Sequence, residues 1–375
     1  MRCDYFDAAA CRSCSELATP YDAQLAIKEA TCRETLGVHA VRPGLTWLPP
    51  VRSEEAAFRN KAKMVVAGTV EAPTLGILDP RGAGVDLRWC PLYSPAMHEV
   101  LAVLARFVTR AALTPYDVAS RRGELKHVIV TESPDGELMV RWVLRSSEAL
   151  PRIRKHLDAL LAEEPRIAVV SVNFQPEHKA VLEGEHETVV SQGETLPMRV
   201  DGVVLHLRPR SFFQTNTVVA TALYRQAVAW AERLQPATVL DLYCGVGGFA
   251  LHLAAPGREV TGVEVSDEAV ASASLSAQQA GVAASFRCGD AGAVPAADLD
   301  ADLVVVNPPR RGIGHDLAAR LDASGARHLV YSSCNAASLA RDLTAMPSWT
   351  PVEARLLDMF AHTTHYEVVL LLERC

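Results

Sequence analysis

The chain has 375 residues, of which 49% are hydrophobic and 22% charged, and a formal net charge of −7. It exceeds the usual size of a single core, so two domains are expected; no run approaches the roughly 20 apolar residues that span a bilayer. The N-terminus, Met1-Arg2-Cys3-Asp4-Tyr5, has no apolar signal region, so a cytoplasmic protein is the simplest expectation. The acidic total excludes a globally basic nucleic-acid binder but not local basic patches.

In chain order, Cys3, Cys11 and Cys14 open the sequence with C-x7-C-x2-C spacing, and Cys90 follows in Trp89-Cys90-Pro91. Disulfides are improbable in a cytosolic enzyme, so this group points to metal ligation by zinc or an iron–sulfur cluster. Spacing alone slightly favours zinc. Cys32, Cys244, Cys288 and Cys375 carry no such pattern. Basic clusters stand at Arg59-Asn60-Lys61-Ala62-Lys63, Arg121-Arg122, Arg152 to Lys155 and Arg208-Pro209-Arg210; each could equally be a solvated face.

Up to about residue 205, strand-like runs are predicted over 64–68, 127–131, 138–144 and 167–173, and helices over 98–112 and 150–163. These make a separate α/β domain. From about 237, short apolar strands alternate with helices, which predicts a doubly wound, parallel-rich sheet. Thr238 to Tyr243 forms a strand that enters the turn Cys244-Gly245-Val246-Gly247-Gly248, and a helix through His252 follows. The next strand ends on Glu264, and Asp267 is expected to cap the following helix. A third strand precedes Asp290. The fourth strand ends in Asn307-Pro308-Pro309-Arg310, the fifth in Ser332-Ser333-Cys334-Asn335, and a last strand begins at Glu367.

Ligands of such sheets sit at the carboxyl ends of the strands, so the glycine turn and Glu264 predict a nucleoside cofactor held by its ribose. The spacing alone also suits NAD. Asn307-Pro308-Pro309-Arg310 resembles the Asn/Asp-Pro-Pro-Tyr/Arg motif of S-adenosylmethionine methyltransferases that act on nucleic-acid bases. Cys334, at a strand end on the same side, suits a nucleophile, although a small buried thiol is the commoner fate of a cysteine. Carbon 5 of uracil is too weak a nucleophile to attack a methylsulfonium. A thiolate adding at carbon 6 makes it reactive, and a base must then remove the carbon 5 proton. Glu367 is the leading base, with His362 and His365 as rivals.

Seven segments together resemble the RNA uracil-C5-methyltransferase family over nearly the whole chain, and specifically its 23S ribosomal RNA branch. They are 58–64, 122–126, 211–216, 241–249, 307–312, 332–335 and 358–367. The resemblance implies a Rossmann-like S-adenosylmethionine methyltransferase domain over 206–375. It also implies an N-terminal α/β iron–sulfur domain over 1–205 that recognises RNA. It makes Cys334 the nucleophile and Glu367 the proton acceptor. Gln214, Tyr243, Glu264 and Asn307 would bind S-adenosyl-L-methionine, and Phe58 to Lys63 would contact RNA. It turns the metal expectation for Cys3, Cys11, Cys14 and Cys90 from zinc to a [4Fe–4S] cluster with a folding or RNA-docking role. The implied target is the uracil numbered 747.

Two departures bear on the branch. Relatives with an N-terminal TRAM domain place their cysteines after it, whereas Cys3 stands almost at the start, so no TRAM domain is expected. Asn307 replaces the Asp of many relatives, as the 23S branch does. A transfer RNA methyltransferase of the same family and a non-catalytic iron–sulfur RNA-binding module are the alternatives. The first should lack the four cysteines; the second would not need both Cys334 and Glu367.

Overall fold

The computed structural model describes residues 1–41, 44–179 and 181–374; Cys375 lies outside the described residues. Two compact units emerge, and neither is a continuous stretch of chain. The first comprises Met1–Cys14, Glu55–Arg199 and Arg208–Arg210; the second comprises Ser15–Glu54, Val200–Leu207 and Ser211–Cys375. A single cut near residue 205 therefore does not divide this chain.

The first unit is built on a seven-stranded sheet. Its strands run in the order Gly84–Asp86, Pro73–Leu78, Lys61–Gly68, Leu125–Glu132, Leu138–Leu144, Ile167–Phe174 and His186–Val189. All neighbours are antiparallel except Leu138–Leu144 and Ile167–Phe174, which the helix Leu150–Glu163 connects. Alternation sends Met64, Val66, Val128, Val130, Val140 and Trp142 to one face, where helix Pro95–Arg110 packs through Met97, Leu101, Leu104 and Phe107. Ser94 begins that helix by accepting the Met97 N–H at 3.0 Å.

The second unit holds an eight-stranded sheet. Its order is Thr46–Trp47, Trp349–Leu357, Glu367–Arg374, His328–Ser333, Leu303–Val306, Thr238–Leu242, Glu259–Glu264 and Ala284–Cys288. The five strands from His328–Ser333 to Ala284–Cys288 are parallel, as the strand–helix alternation predicts. Glu367–Arg374 runs antiparallel between His328–Ser333 and Trp349–Leu357. Leu303–Val306 is fully buried, as expected of a strand covered on both faces. The cap of helix Asp267–Ala280 is Ser266, whose Oγ accepts the Ala269 N–H at 3.3 Å. Asp267 is instead the first helical residue, where its charge favours the helix N-terminus.

Residues 15–54 join the second unit for a physical reason. Helix Tyr21–Leu36 lays Leu25, Cys32 and Leu36 into the core that contains Trp349, Leu356 and Tyr366. Lys28, 3% exposed, donates to the fully buried Asp358 at 2.6 Å and to the Phe360 carbonyl at 3.0 Å. The Tyr21 hydroxyl donates to the other Asp358 oxygen at 2.7 Å and accepts the Ser53 N–H at 2.8 Å. Gln24 accepts the His362 N–H at 3.1 Å. The segment leading into Glu367 is thus tied to a helix more than 300 residues earlier in the sequence.

Either partner of the Lys28–Asp358 pair alone would be a stranded buried charge. Lys28→Met or Asp358→Asn is expected to lower stability by about 3–5 kcal/mol, read as a reduced urea midpoint. Removing both charges together should cost less than either single change. Unchanged midpoints in both single variants would contradict this.

Candidate active site

The glycine turn follows the strand Thr238–Leu242. Tyr243, Gly245 and Gly247 all adopt positive φ, at 63°, 54° and 86°, so the chain turns sharply before helix Gly248–Leu253. Gly248 serves a different need: a side chain there would meet the Tyr224 hydroxyl at 2.5 Å. Tyr224 fills that space and stacks on His252, with ring centroids 4.6 Å apart. Glu264 accepts the Gly245 N–H at 3.1 Å and the Ser266 N–H at 3.0 Å, so its carboxylate is oriented by main chain at the strand end.

Asp241 is the other acid of this region. One oxygen accepts the Ala250 N–H at 2.9 Å, while Oδ1 is buried with no hydrogen-bond partner. Burial, and secondarily the charge of Glu264, push its carboxyl up to about 8. A buried acid with an orphaned oxygen is a place for a cationic or hydrogen-donating ligand.

Asn307 is half-buried at the end of the strand Leu303–Val306, followed by Pro308-Pro309. The loop after it is pinned twice. The Arg310 carbonyl accepts from Asn335 Nδ2 at 2.9 Å, and the Ile313 N–H donates to Asp342 at 2.9 Å. Asn335 also caps helix Ala336–Thr344 by accepting the Ala337 N–H at 3.1 Å. One amide therefore ties the diproline loop to the residue following Cys334.

Cys334 is half-buried at the end of the strand His328–Ser333. Burial raises its thiol pKa, and the charge of Glu367 raises it further; the Arg310 guanidinium, hydrogen-bonded to the sulfur, opposes both. Glu367 is 2% exposed and accepts the Ser332 hydroxyl at 2.5 Å. Burial pushes its carboxyl up to about 7, and the bond from Ser332 holds it from rising further. Such a group takes up and releases a proton near neutrality. The shared strand register places these groups side by side: Ser333 pairs with Val368, one residue from each.

The rival bases sit differently. His362 is fully buried, its main chain and ring held by Gln24. His365 is exposed, packing edge-to-face on Phe360 at 6.2 Å. Of the expected cofactor residues, Tyr243, Glu264 and Asn307 lie at carboxyl ends of neighbouring parallel strands. Gln214 is buried two residues before Asn216, the cap of helix Thr217–Leu234.

Within the first unit, the charges of Cys90, Cys11 and Cys3 act on the Cys14 thiol, and those of Cys3 and Cys11 act on Cys90. Burial is the larger cause in both, and each thiol rises to about 11, with Arg59 opposing. Among the described residues, however, no group of three or more His, Cys, Asp or Glu side chains is arranged to hold a metal ion. Charges interact over several ångströms, whereas metal–sulfur bonds of about 2.3 Å need converging sulfurs. The cysteines share a neighbourhood without forming a closed ligand set.

A family model described as tRNA (Uracil-5-)-methyltransferase matches residues 293–375, and one described as a methyltransferase domain matches 239–321. The 23S rRNA (uracil(747)-C(5))-methyltransferase RlmC of Halothiobacillus neapolitanus is 49% identical over the full length of both chains. The RlmC of Cronobacter sakazakii is 47% identical, again over the whole of both. The chain belongs to the RNA uracil-C5-methyltransferase family. The solved Pyrococcus abyssi tRNA (uracil-54, C5)-methyltransferase, in complex with S-adenosyl-L-homocysteine, matches this methyltransferase with a TM-score of 0.80 at 26% identity. That match covers 96% of this chain and 84% of the other.

Sequence reasoning gave no role to three residues that contact Glu367, Cys334 or the diproline loop: Ser332, Arg310 and Asn335. All three stand in the quoted motifs, so the signal was present, but their contacts depend on pairings that spacing does not reveal.

Because Ser332 donates to the charged form of Glu367, Ser332→Ala is expected to raise the Glu367 pKa above about 7. The alkaline-side rate of methyl transfer should survive. The rate at neutral pH should fall severalfold, shifting the pH–rate profile upward by about one unit. An unshifted profile would contradict the assignment.

Proposed function

We propose that this enzyme transfers the methyl group of S-adenosyl-L-methionine to carbon 5 of a uracil in 23S ribosomal RNA, with uracil 747 as the target. Full-length identity of 47–49% to relatives named for that reaction carries the reading. The thiol–carboxylate pair at Cys334 and Glu367 is the chemistry it requires. A transfer RNA substrate is less favoured, because the solved tRNA enzyme shares only 26% identity. The enzyme works in the cytoplasm, where this RNA is made. Among the described residues no helix is long and apolar enough to cross a membrane.

The residues fit the cofactor. Glu264 offers an oriented carboxylate for ribose hydroxyls, and the buried Asp241 oxygen without a partner suits the donor's positive charge. Tyr243, Asn307 and Gln214 complete its binding residues. When bound, S-adenosyl-L-methionine supplies an electrophilic methyl on a sulfonium. The Cys334 thiolate adds to carbon 6 of the flipped-out base, placing negative charge on the ring and making carbon 5 nucleophilic. Arg310 favours the thiolate against the charge of Glu367, which stays an unprotonated carboxylate until carbon 5 loses its proton. After methyl transfer, the Glu367 carboxylate takes the carbon 5 proton. The carbon–sulfur bond then breaks, returning the electron pair to Cys334 and restoring the aromatic ring.

Cys3, Cys11, Cys14 and Cys90 would hold a [4Fe–4S] cluster that ties the N-terminal segment to the region of Cys90. The spacing of the four cysteines and the family resemblance carry this reading; among the described residues the thiols do not converge on a metal. The cluster's role is structural or RNA-docking, with Phe58 to Lys63 contacting RNA beside it.

With labelled S-adenosyl-L-methionine and 23S RNA fragments, the native protein should label RNA and Cys334→Ala should not; equal labelling refutes the mechanism. Glu367→Gln should instead accumulate protein-linked RNA, and free RNA alone after denaturation would remove Glu367 as the base. Anaerobically purified protein should be brown with broad absorbance near ~400 nm. Colourless protein with one stoichiometric zinc would overturn the cluster assignment.

A further inference from the structure

The seven-stranded sheet has a second face, opposite the one covered by helix Pro95–Arg110. In the antiparallel register Lys61, Lys63 and Val65 pair with Thr131, Ile129 and His127, so all six share that face. At one end of it opens a cavity of about 410 Å³ lined by Val65, Leu78, Tyr116, Lys126, His127 and His178, among others. That is the size of a small-ligand site.

Two features of this cavity are unusual in a merely structural hollow. Lys126 is 6% exposed, and among the described residues its ammonium makes no ion pair, although the charge of Glu177, which also lines the cavity and pairs with Lys179 at 2.9 Å, acts on it. Its hydrogen-bond acceptor is the Glu177 carbonyl at 2.7 Å, and it lies 4.9 Å from the centre of the Tyr116 ring. An ammonium has three donors, so this buried cation retains capacity for an anion. His127 Nδ1 is also buried with no hydrogen-bond partner. Burial holds that imidazole neutral, pulling it down to about 4, so it can donate to or accept from a polar ligand edge. Beside them, Tyr116 and His178 present two rings joined by a 3.0 Å hydrogen bond.

We infer that this cavity binds one extruded nucleotide of the RNA substrate, a second nucleotide distinct from the methylated one. A flat ring, a cation and an unpartnered polar nitrogen in an apolar-walled cavity match a base with its phosphate. Position favours RNA over a free metabolite. Lys63 and Lys61 lie two and four residues along the strand from Val65, roughly 7 and 14 Å at ~3.4 Å per residue. Lys61 is partly buried and feels the charge of Glu183, so the exposed Lys63 is the cation that would hold an RNA phosphate beside the cavity. This inference rests on the RNA-methylating reading, whereas the pocket itself belongs wholly to the first unit.

The full chain and a 23S RNA fragment test it. Tyr116→Ala and Lys126→Met should each raise KM for RNA by about tenfold, in line with the loss of one stacking or phosphate contact. KM for S-adenosyl-L-methionine should be unchanged and kcat within about twofold. RNA KM values within twofold of native in both variants would overturn the pocket. A second measurement does not depend on variants: native protein is irradiated with 4-thiouridine-substituted RNA and the linked peptides are mapped. Links within residues 116–127 or 177–182 support the pocket; links confined to other segments overturn it. A native protein that methylates no RNA would refute the functional reading, and the cross-links would then decide the pocket separately.

Discussion

One reversal of strand direction creates the proposed reactive centre of this enzyme. In an all-parallel sheet, the beginnings of strands lie at the edge opposite their ends, so a residue starting one strand never meets a residue ending its neighbour. Glu367–Arg374 runs antiparallel to His328–Ser333, which sets the start of the last strand beside the end of the fifth. Glu367 and Cys334 meet for that reason. The meeting suits the proposed chemistry, because the same burial that desolvates the carboxylate lifts it to about 7, where it can take up a proton. Placed at a solvent-exposed strand edge, Glu367 would titrate as an ordinary acid and be a poor proton acceptor.

The rest of the second unit maintains that arrangement. Asn335 holds the Arg310 loop against the end of the cysteine strand, and Ser332 orients the carboxylate from within the sheet. Helix Tyr21–Leu36 fixes the approach to Glu367 through Lys28, Gln24 and Asp358. These contacts join segments far apart in sequence, which is why the chain's first fifty residues divide between two units rather than forming one N-terminal block.

The parallel strands, the glycine turn and the strand-end residues were legible because each has a local signature: a short apolar run, then a turn residue, then a helix. Cys334 could be named from chemistry, whereas the family resemblance was needed to choose Glu367 over His362 and His365; the adjacency of the two was not legible, since nothing local marks a strand as antiparallel. Helix Tyr21–Leu36 was missed because its buried face includes Gln24 and Lys28, polar residues that break the apolar stripe. Ser266 rather than Asp267 caps its helix, a one-residue difference typical of helix boundaries. The four N-terminal cysteines stood out by spacing and do share a neighbourhood, but their convergence on a metal is a matter of geometry that spacing does not contain.

The central claim is that Cys334 becomes covalently bound to carbon 6 of the target uracil while Glu367 waits to remove the carbon 5 proton. A 23S RNA fragment carrying 5-fluorouridine at the target tests this directly, because fluorine in place of that proton cannot be removed by a base. Incubated with native enzyme and S-adenosyl-L-methionine, it should yield a stable, methylated protein–RNA species. Peptide mass mapping should then find the nucleotide on Cys334. A nucleotide attached to another residue, or methylated fluorouridine recovered only as free RNA, would contradict the account.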